Sequence, residues 1–120
     1  MSKDRRERAN RRGHTGEWLA AWTLRLKGYT ILERGYRCPQ GEIDIIAKRL
    51  NTVVFVEVKA RDTYTDAVNA VSAQQRRRIT RAALHYISHH PALAGCDLRF
   101  DVIAILPYSW PRHLEDTWQD

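Results

Sequence analysis

The chain is poor in the residues that mark specialised scaffolds. Of its 120 residues, two are cysteine, four proline, six glycine and one methionine. Two thiols, Cys38 and Cys96, cannot build the disulfide framework of a small secreted domain, so the reducing cytoplasm is the expected compartment. So little proline and glycine excludes collagen-like and low-complexity chains. No apolar run approaches the roughly 20 residues that a membrane-spanning helix needs. Met1 to Arg12 is basic but lacks the apolar stretch of a secretory signal, and none is expected. Negative charge is also in deficit, with Asp+Glu 14 against Lys+Arg 20 and a formal net charge of +6.

What is present describes an ordinary globular domain. Hydrophobic residues make up 43% and charged residues 28%, and the length suits one core. The excess positive charge points to a polyanionic partner and away from a membrane. That charge is clustered. Residues 1–12 carry Lys3, Arg5, Arg6, Arg8, Arg11 and Arg12 with almost nothing apolar to bury, which predicts a flexible basic arm. A second cluster, Arg76, Arg77, Arg78 and Arg81, falls within a helical pattern that has no acidic residues at i±4 to pair with it. A phosphate-contacting surface fits Arg77, Arg78 and Arg81 together with Arg5, Arg6, Arg11 and Arg12, with affinity that falls as salt rises.

After the arm, Trp18, Leu19, Trp22 and Leu26 recur at helical spacing, with the two tryptophans expected in the core and Gly28 as the stop. Tyr29 to Arg37, Glu42 to Ala47 and Val53 to Ala60 read as strands, separated by Cys38-Pro39-Gln40-Gly41 and by the polar segment Lys48 to Thr52. Arg61 to Val71 reads as a loop. Ser72 followed by Gln75 is a capping box, after which Ile79, Ala82, Ala83, Tyr86 and Ile87 form one buried helical stripe. His89-His90-Pro91 ends that helix. Leu98 to Leu106 is a last strand, closed by Pro107. The order helix-strand-strand-strand-helix-strand implies an α/β domain at 13–107, with a mixed sheet of about four strands in which a helix makes the parallel crossover. Residues 108–120 are left as a tail whose Trp110, Leu114 and Trp118 either pack on the domain or meet a partner.

The chemically informative feature is charge set within the most apolar strands. Alternation in Val53 to Lys59 places Phe55, Glu57 and Lys59 on one face. In Glu42 to Ile46, it turns Ile43 and Ile45 one way and Asp44 the other. If the strands are neighbours, Asp44 sits beside Glu57. Two close carboxylates raise each other's pKa, and a hard divalent cation between them removes that penalty. Lys59 would then stand where developing negative charge needs stabilising. A half-exposed Glu-Lys surface pair is the competing reading. Arg99 and Asp101, sharing one face of the last strand, read as a structural ion pair, with support of the site as the alternative. His85 and His89 have zinc-compatible spacing but no third ligand.

Asp44 followed by Glu57-Val58-Lys59 resembles the motif of the PD-(D/E)xK nuclease superfamily. The string Gly41-Glu42-Ile43-Asp44-Ile45-Ile46-Ala47, then Val54-Phe55-Val56-Glu57-Val58-Lys59, then Arg99-Phe100-Asp101-Val102, resembles the YraN-like family of predicted bacterial endonucleases. That family is similar in outline to archaeal Holliday-junction resolvases. The resemblance spans roughly residues 13–106 and implies a restriction-endonuclease-like domain that hydrolyses phosphodiester bonds, with DNA, including branched or junction DNA, as substrate and Mg²⁺ or Mn²⁺ as cofactor. It assigns Asp44 and Glu57 to the metal, with Glu17 of Gly16-Glu17 approaching the same site. Lys59 becomes the motif lysine and Gln75 an assisting polar residue. Ile43 replaces the proline of the superfamily's name. Junction resolution takes two cuts, so a symmetric homodimer is a further expectation. A nucleic-acid-binding module that keeps the nuclease fold without turnover is the alternative, and a protein-interaction domain a third reading.

Overall fold

The computed structural model describes residues 16–119. Helix α1 (16–26) leads into strands β1 (Thr30–Cys38), β2 (Gly41–Arg49) and β3 (Thr52–Ala60). Helices α2 (Tyr64–Asn69) and α3 (Ala73–Ser88) follow, then a short 3₁₀ turn, Pro91–Leu93, and strands β4 (Asp97–Ile105) and β5 (Arg112–Trp118). The five strands form one mixed sheet in the order β1-β2-β3-β4-β5. The first three make an antiparallel meander. β4 returns parallel to β3 after α2 and α3, and β5 closes the far edge antiparallel to β4. Among the described residues, no helix is long and apolar enough to cross a membrane.

Each face of the sheet carries its own core. On one, Ile79, Ala82, Ala83 and Tyr86 of α3 pack on Ile46, Val53, Phe55 and Val102. On the other, Ala20, Ala21 and Leu24 of α1 pack on Ile45, Val54, Val56 and Ile103. The three inner strands, β2, β3 and β4, are therefore covered on both sides, which explains their runs of apolar residues. α3 begins as the capping box predicts, with Ser72 Oγ accepting from the Gln75 amide at 3.1 Å.

Four expectations are corrected. α1 turns Trp18 and Trp22 outward, 53% and 46% exposed, and buries Ala20, Ala21 and Leu24. Two stripes run along this helix, and the one with small side chains lets it lie close to the sheet. At Gly16, a β-carbon would already be in van der Waals contact with Ile105 and Val58. The predicted 61–71 loop contains α2, capped by Thr63 Oγ1, which accepts from the Asp66 amide. The sheet has a fifth strand because Arg112–Trp118 pairs with β4, with Trp118 buried against Phe100. Finally, Ile43 and Ile45 do not share a face. Ile43 joins the α3-side core and Ile45 the α1-side core, so the pleat is interrupted at Asp44 between them.

Candidate active site

That interruption builds the site. The paired register of β2 and β3 starts at Ile45 opposite Val56. One step beyond, the ladder gives way, and the Val58 amide donates to Asp44 Oδ2 at 2.8 Å. The Asp44 side chain thus takes over a backbone acceptor's role at the mouth of the sheet, beside Glu57. Glu57, at 4% exposure, and Asp101 are the buried charged residues of the described chain. Glu57 Oε2 accepts from Gln75 Nε2 at 2.9 Å and forms an ion pair with Lys59 Nζ at 3.7 Å. Strand alternation places Glu57 and Lys59 on the α3 face, as the sequence predicts.

These groups line a cleft of about 260 Å³ whose wall also includes Gly16, Glu17 and Ala60. Asp44, Glu57, Lys59, Glu17 and Gln75, drawn from four separate elements, therefore meet at one place. The Gln75 amide is capped by Ser72, while its side chain turns to Glu57. Glu42 was not singled out by sequence reasoning, yet it lines the same cleft. Its position two residues before Asp44 in the strand was the available signal. Glu42 pairs with Arg37 at 3.4 Å, both side chains being largely exposed, and adds negative potential at the rim.

Electrostatics disfavour charging both carboxylates at once. Burial, with the Asp44 charge next in weight, pushes the Glu57 carboxyl up to about 8, against the opposing pull of Lys59. Burial also raises Asp44, only partly offset by the Val58 amide and Lys59. Among the described residues, no three His, Cys, Asp or Glu side chains converge as an all-protein metal cage would require. A carboxylate pair is nonetheless a donor set that suits Mg²⁺, which uses one or two carboxylates and fills its other positions with water and substrate oxygens. The residues fit the group.

The arginines lie alongside. Arg78 lines a hollow next to the cleft together with Glu42, Gln75 and Ile79. Arg77, Arg78 and Arg81 line a further one beside Pro39 and Gln40 of the β1–β2 turn. All three are exposed, and among the described residues none is held in an ion pair. Arg76 differs, its guanidinium 5.8 Å from the Trp118 ring centre. Arg5, Arg6, Arg11 and Arg12 lie outside the described residues.

Arg99 and Asp101 belong elsewhere. Asp101 accepts from Arg99 Nε and Nη2 at 2.9 and 2.8 Å, from His113 Nε2 at 2.7 Å and from the Asp116 amide at 2.9 Å. This network ties β4 to β5. His85 Nδ1 is engaged by the Tyr36 hydroxyl and His89 Nδ1 donates to the His85 carbonyl.

Comparison with known proteins finds a match to the model of "Uncharacterised protein family UPF0102" over residues 16–105. A UPF0102 protein of Chelativorans sp. (strain BNC1) is 51% identical over 113 residues, covering 94% of this chain and 91% of its own. One from Mesorhizobium japonicum is 49% identical over 113 residues, covering 94% and 90%. A third, from Sinorhizobium medicae, is 44% identical over 117 residues, covering 98% and 96%.

Proposed function

The chain belongs to the uncharacterised protein family UPF0102, and we propose that it is a divalent-metal-dependent endonuclease of the PD-(D/E)xK type, acting on DNA. The observation that carries this reading is the convergence of two carboxylates, Asp44 and Glu57, beside Lys59 at the broken end of the β2–β3 ladder. Burial there is costly for an unpaired charge, and two charged carboxylates held that close repel unless a proton or a cation lies between them.

Asp44 and Glu57 would hold Mg²⁺ or Mn²⁺, with Glu17 at the rim of the same cleft. When bound there, the ion supplies positive charge at the scissile phosphate. Lys59 orients the attacking water and stabilises negative charge as it develops on the phosphate oxygens. Gln75 fixes one oxygen of Glu57 at the cleft wall. Arg77, Arg78 and Arg81 hold the nucleic-acid backbone as it leaves the site, through contacts that carry no base information.

The test is cleavage of end-labelled duplex, single-stranded and four-way DNA with Mg²⁺ or Mn²⁺, comparing the wild type with Glu57→Ala and Lys59→Ala. Removal of groups that act on the reacting phosphate is expected to slow cleavage at least about a hundred-fold. A wild type that cuts no substrate faster than the variants overturns catalysis. Salt-sensitive binding that persists in those variants would then mark a nucleic-acid-binding module without turnover.

A further inference from the structure

The turn after β4 presents two aromatic side chains to solvent. Tyr108 is 107% exposed and Trp110 87%. Large apolar rings are rarely left so bare, and the informative case is a group of them at a functional edge. Tyr108 also has φ 58°, a left-handed conformation natural for glycine or asparagine and costly for a bulky residue. Strain and exposure alone do not mark a site, because Leu50 in the β2–β3 turn shares both, with φ 53° and 88% exposure. Position separates the two. Leu50 lies at the opposite end of the sheet from the carboxylate cleft, whereas Tyr108 and Trp110 lie at the same end.

The register establishes that placement. β4 runs parallel to β3 with Lys59 opposite Ala104 and Ala60 opposite Ile105, and the Arg61 amide donates to the Ile105 carbonyl at 3.1 Å. The chain therefore leaves β4 for the Tyr108 turn level with the end of the Glu57-Lys59 strand. Ala60 lines the carboxylate cleft and also a neighbouring hollow of about 190 Å³ formed with Arg61, Ile105 and Pro107. A chain of phosphates leaving the cleft across Ala60 would pass Arg61 and arrive at Tyr108. Arg61 and Arg112 are exposed at this end, with Asp62 as the acidic neighbour, and the Arg112 guanidinium lies over the Tyr64 ring at 3.9 Å.

Exposed aromatics beside cations are what unpaired bases stack on, whereas bases inside a duplex have both faces occupied by their neighbours. We infer that Tyr108 and Trp110 form a base-stacking platform beside the cleft, selecting nucleic acid with unpaired bases, such as a single strand or the open end of a branched molecule. This inference rests on the nuclease reading above and names the substrate class of the same site.

The experiment measures binding of the full chain to fluorescein-labelled oligo-dT and to a duplex of equal length. It is done in chelator, so that nothing is cut, and at one fixed salt concentration. The wild type is expected to prefer oligo-dT. Tyr108→Ala combined with Trp110→Ala should weaken oligo-dT binding at least about ten-fold while changing duplex binding less than about two-fold, since phosphate contacts remain. Tyr108→Gly should weaken oligo-dT binding while leaving Tm equal or higher, because glycine relieves the left-handed strain. Leu50→Ala, the matched change at the far end, should alter neither affinity. Equal losses on both probes, or no loss on either, overturn the platform and leave the nuclease reading standing. A wild type that binds neither probe at low salt overturns both.

Discussion

Gln75 Nε2 donates to Glu57 Oε2 at 2.9 Å, joining the first turn of α3 to the third strand at the point where the carboxylates meet. The contact makes helix position a determinant of site geometry. Gly41 sets that position from below, since a β-carbon there would come within 3.2 Å of the Arg78 carbonyl oxygen. Gln75→Ala removes one hydrogen bond and leaves Ser72 capping the backbone, so it should cost about 1 kcal/mol of stability. Loss of the fixed Glu57 rotamer is expected to slow cleavage about ten-fold or more, because small displacements of an oriented group carry large rate penalties. Chemical denaturation and initial cleavage rates on one substrate check the two effects separately.

The raised Glu57 carboxyl predicts how stability varies with pH. Its ordinary value is 4.5 and its folded value about 8. Between these, the native state holds a proton that the unfolded chain has lost, so stability falls as pH rises. The contribution is complete below about 4.5 and is lost as pH rises through about 8. Asp44, also raised by burial, acts in the same direction. Glu57→Gln keeps the shape and the Gln75 contact without the titration, so its metal-free melting temperature should exceed that of the wild type at the alkaline end. Melting curves across that window, taken in chelator, should show the wild type declining and the variant nearly flat.

The same chemistry predicts metal linkage. A cation held by Asp44 and Glu57 must displace the proton on Glu57, so its apparent affinity should strengthen as pH rises toward about 8 and protons should be released on binding. Mg²⁺ or Mn²⁺ should raise Tm by mass action on the folded state, more at pH 8 than at pH 6, and Asp44→Asn should abolish the rise. A shift that survives Asp44→Asn would place the ion elsewhere. Thermal melts at graded metal concentration measure both.

The site was more legible in the sequence than its surroundings. Asp44, Glu57 and Lys59 stand out because charge among the isoleucines of β2 and the valines of β3 contradicts the local pattern, and the cap at Ser72 announced α3. The orientation of α1 was not legible, because the rings of Trp18 and Trp22 offer more apolar area to bury than Ala20 and Ala21, while close packing against the sheet favours the small residues. β5 has alternation too weak to declare itself: its sequence is Arg-His-Leu-Glu-Asp-Thr-Trp, and only Trp118 is buried within it. The interruption at Asp44 was also hidden. Strict alternation predicts one face for Ile43 and Ile45, and the departure arises from a side-chain acceptor replacing a ladder bond, a tertiary choice that strand periodicity does not encode. Expectations placed on residues 1–12 lie outside the described residues.

The Asp101 network supplies a control for all of this, because it is charged, buried and remote in role. Burial alone would push Asp101 up, yet His113, Arg99 and the Asp116 amide together outweigh it and bring the carboxyl below its ordinary value. Its stabilisation is present above that ordinary value and is lost as pH falls through the folded one, opposite in sign to Glu57. Arg99 also donates to the Tyr29 hydroxyl at 2.6 Å, so it joins β4 to the segment entering β1. Arg99→Ala leaves a buried carboxylate short of its main cation, and the expected loss is about 3–5 kcal/mol. The part of the chain that depends on this pair is the β4–β5 edge, whereas the metal-dependent Tm rise depends on Asp44 and Glu57. In Arg99→Ala, the melting temperature should therefore drop sharply while the added rise from Mn²⁺ persists. Loss of that rise in a variant still folded at low temperature would instead assign Arg99 to support of the cleft. Circular dichroism melts with and without the ion distinguish the two outcomes.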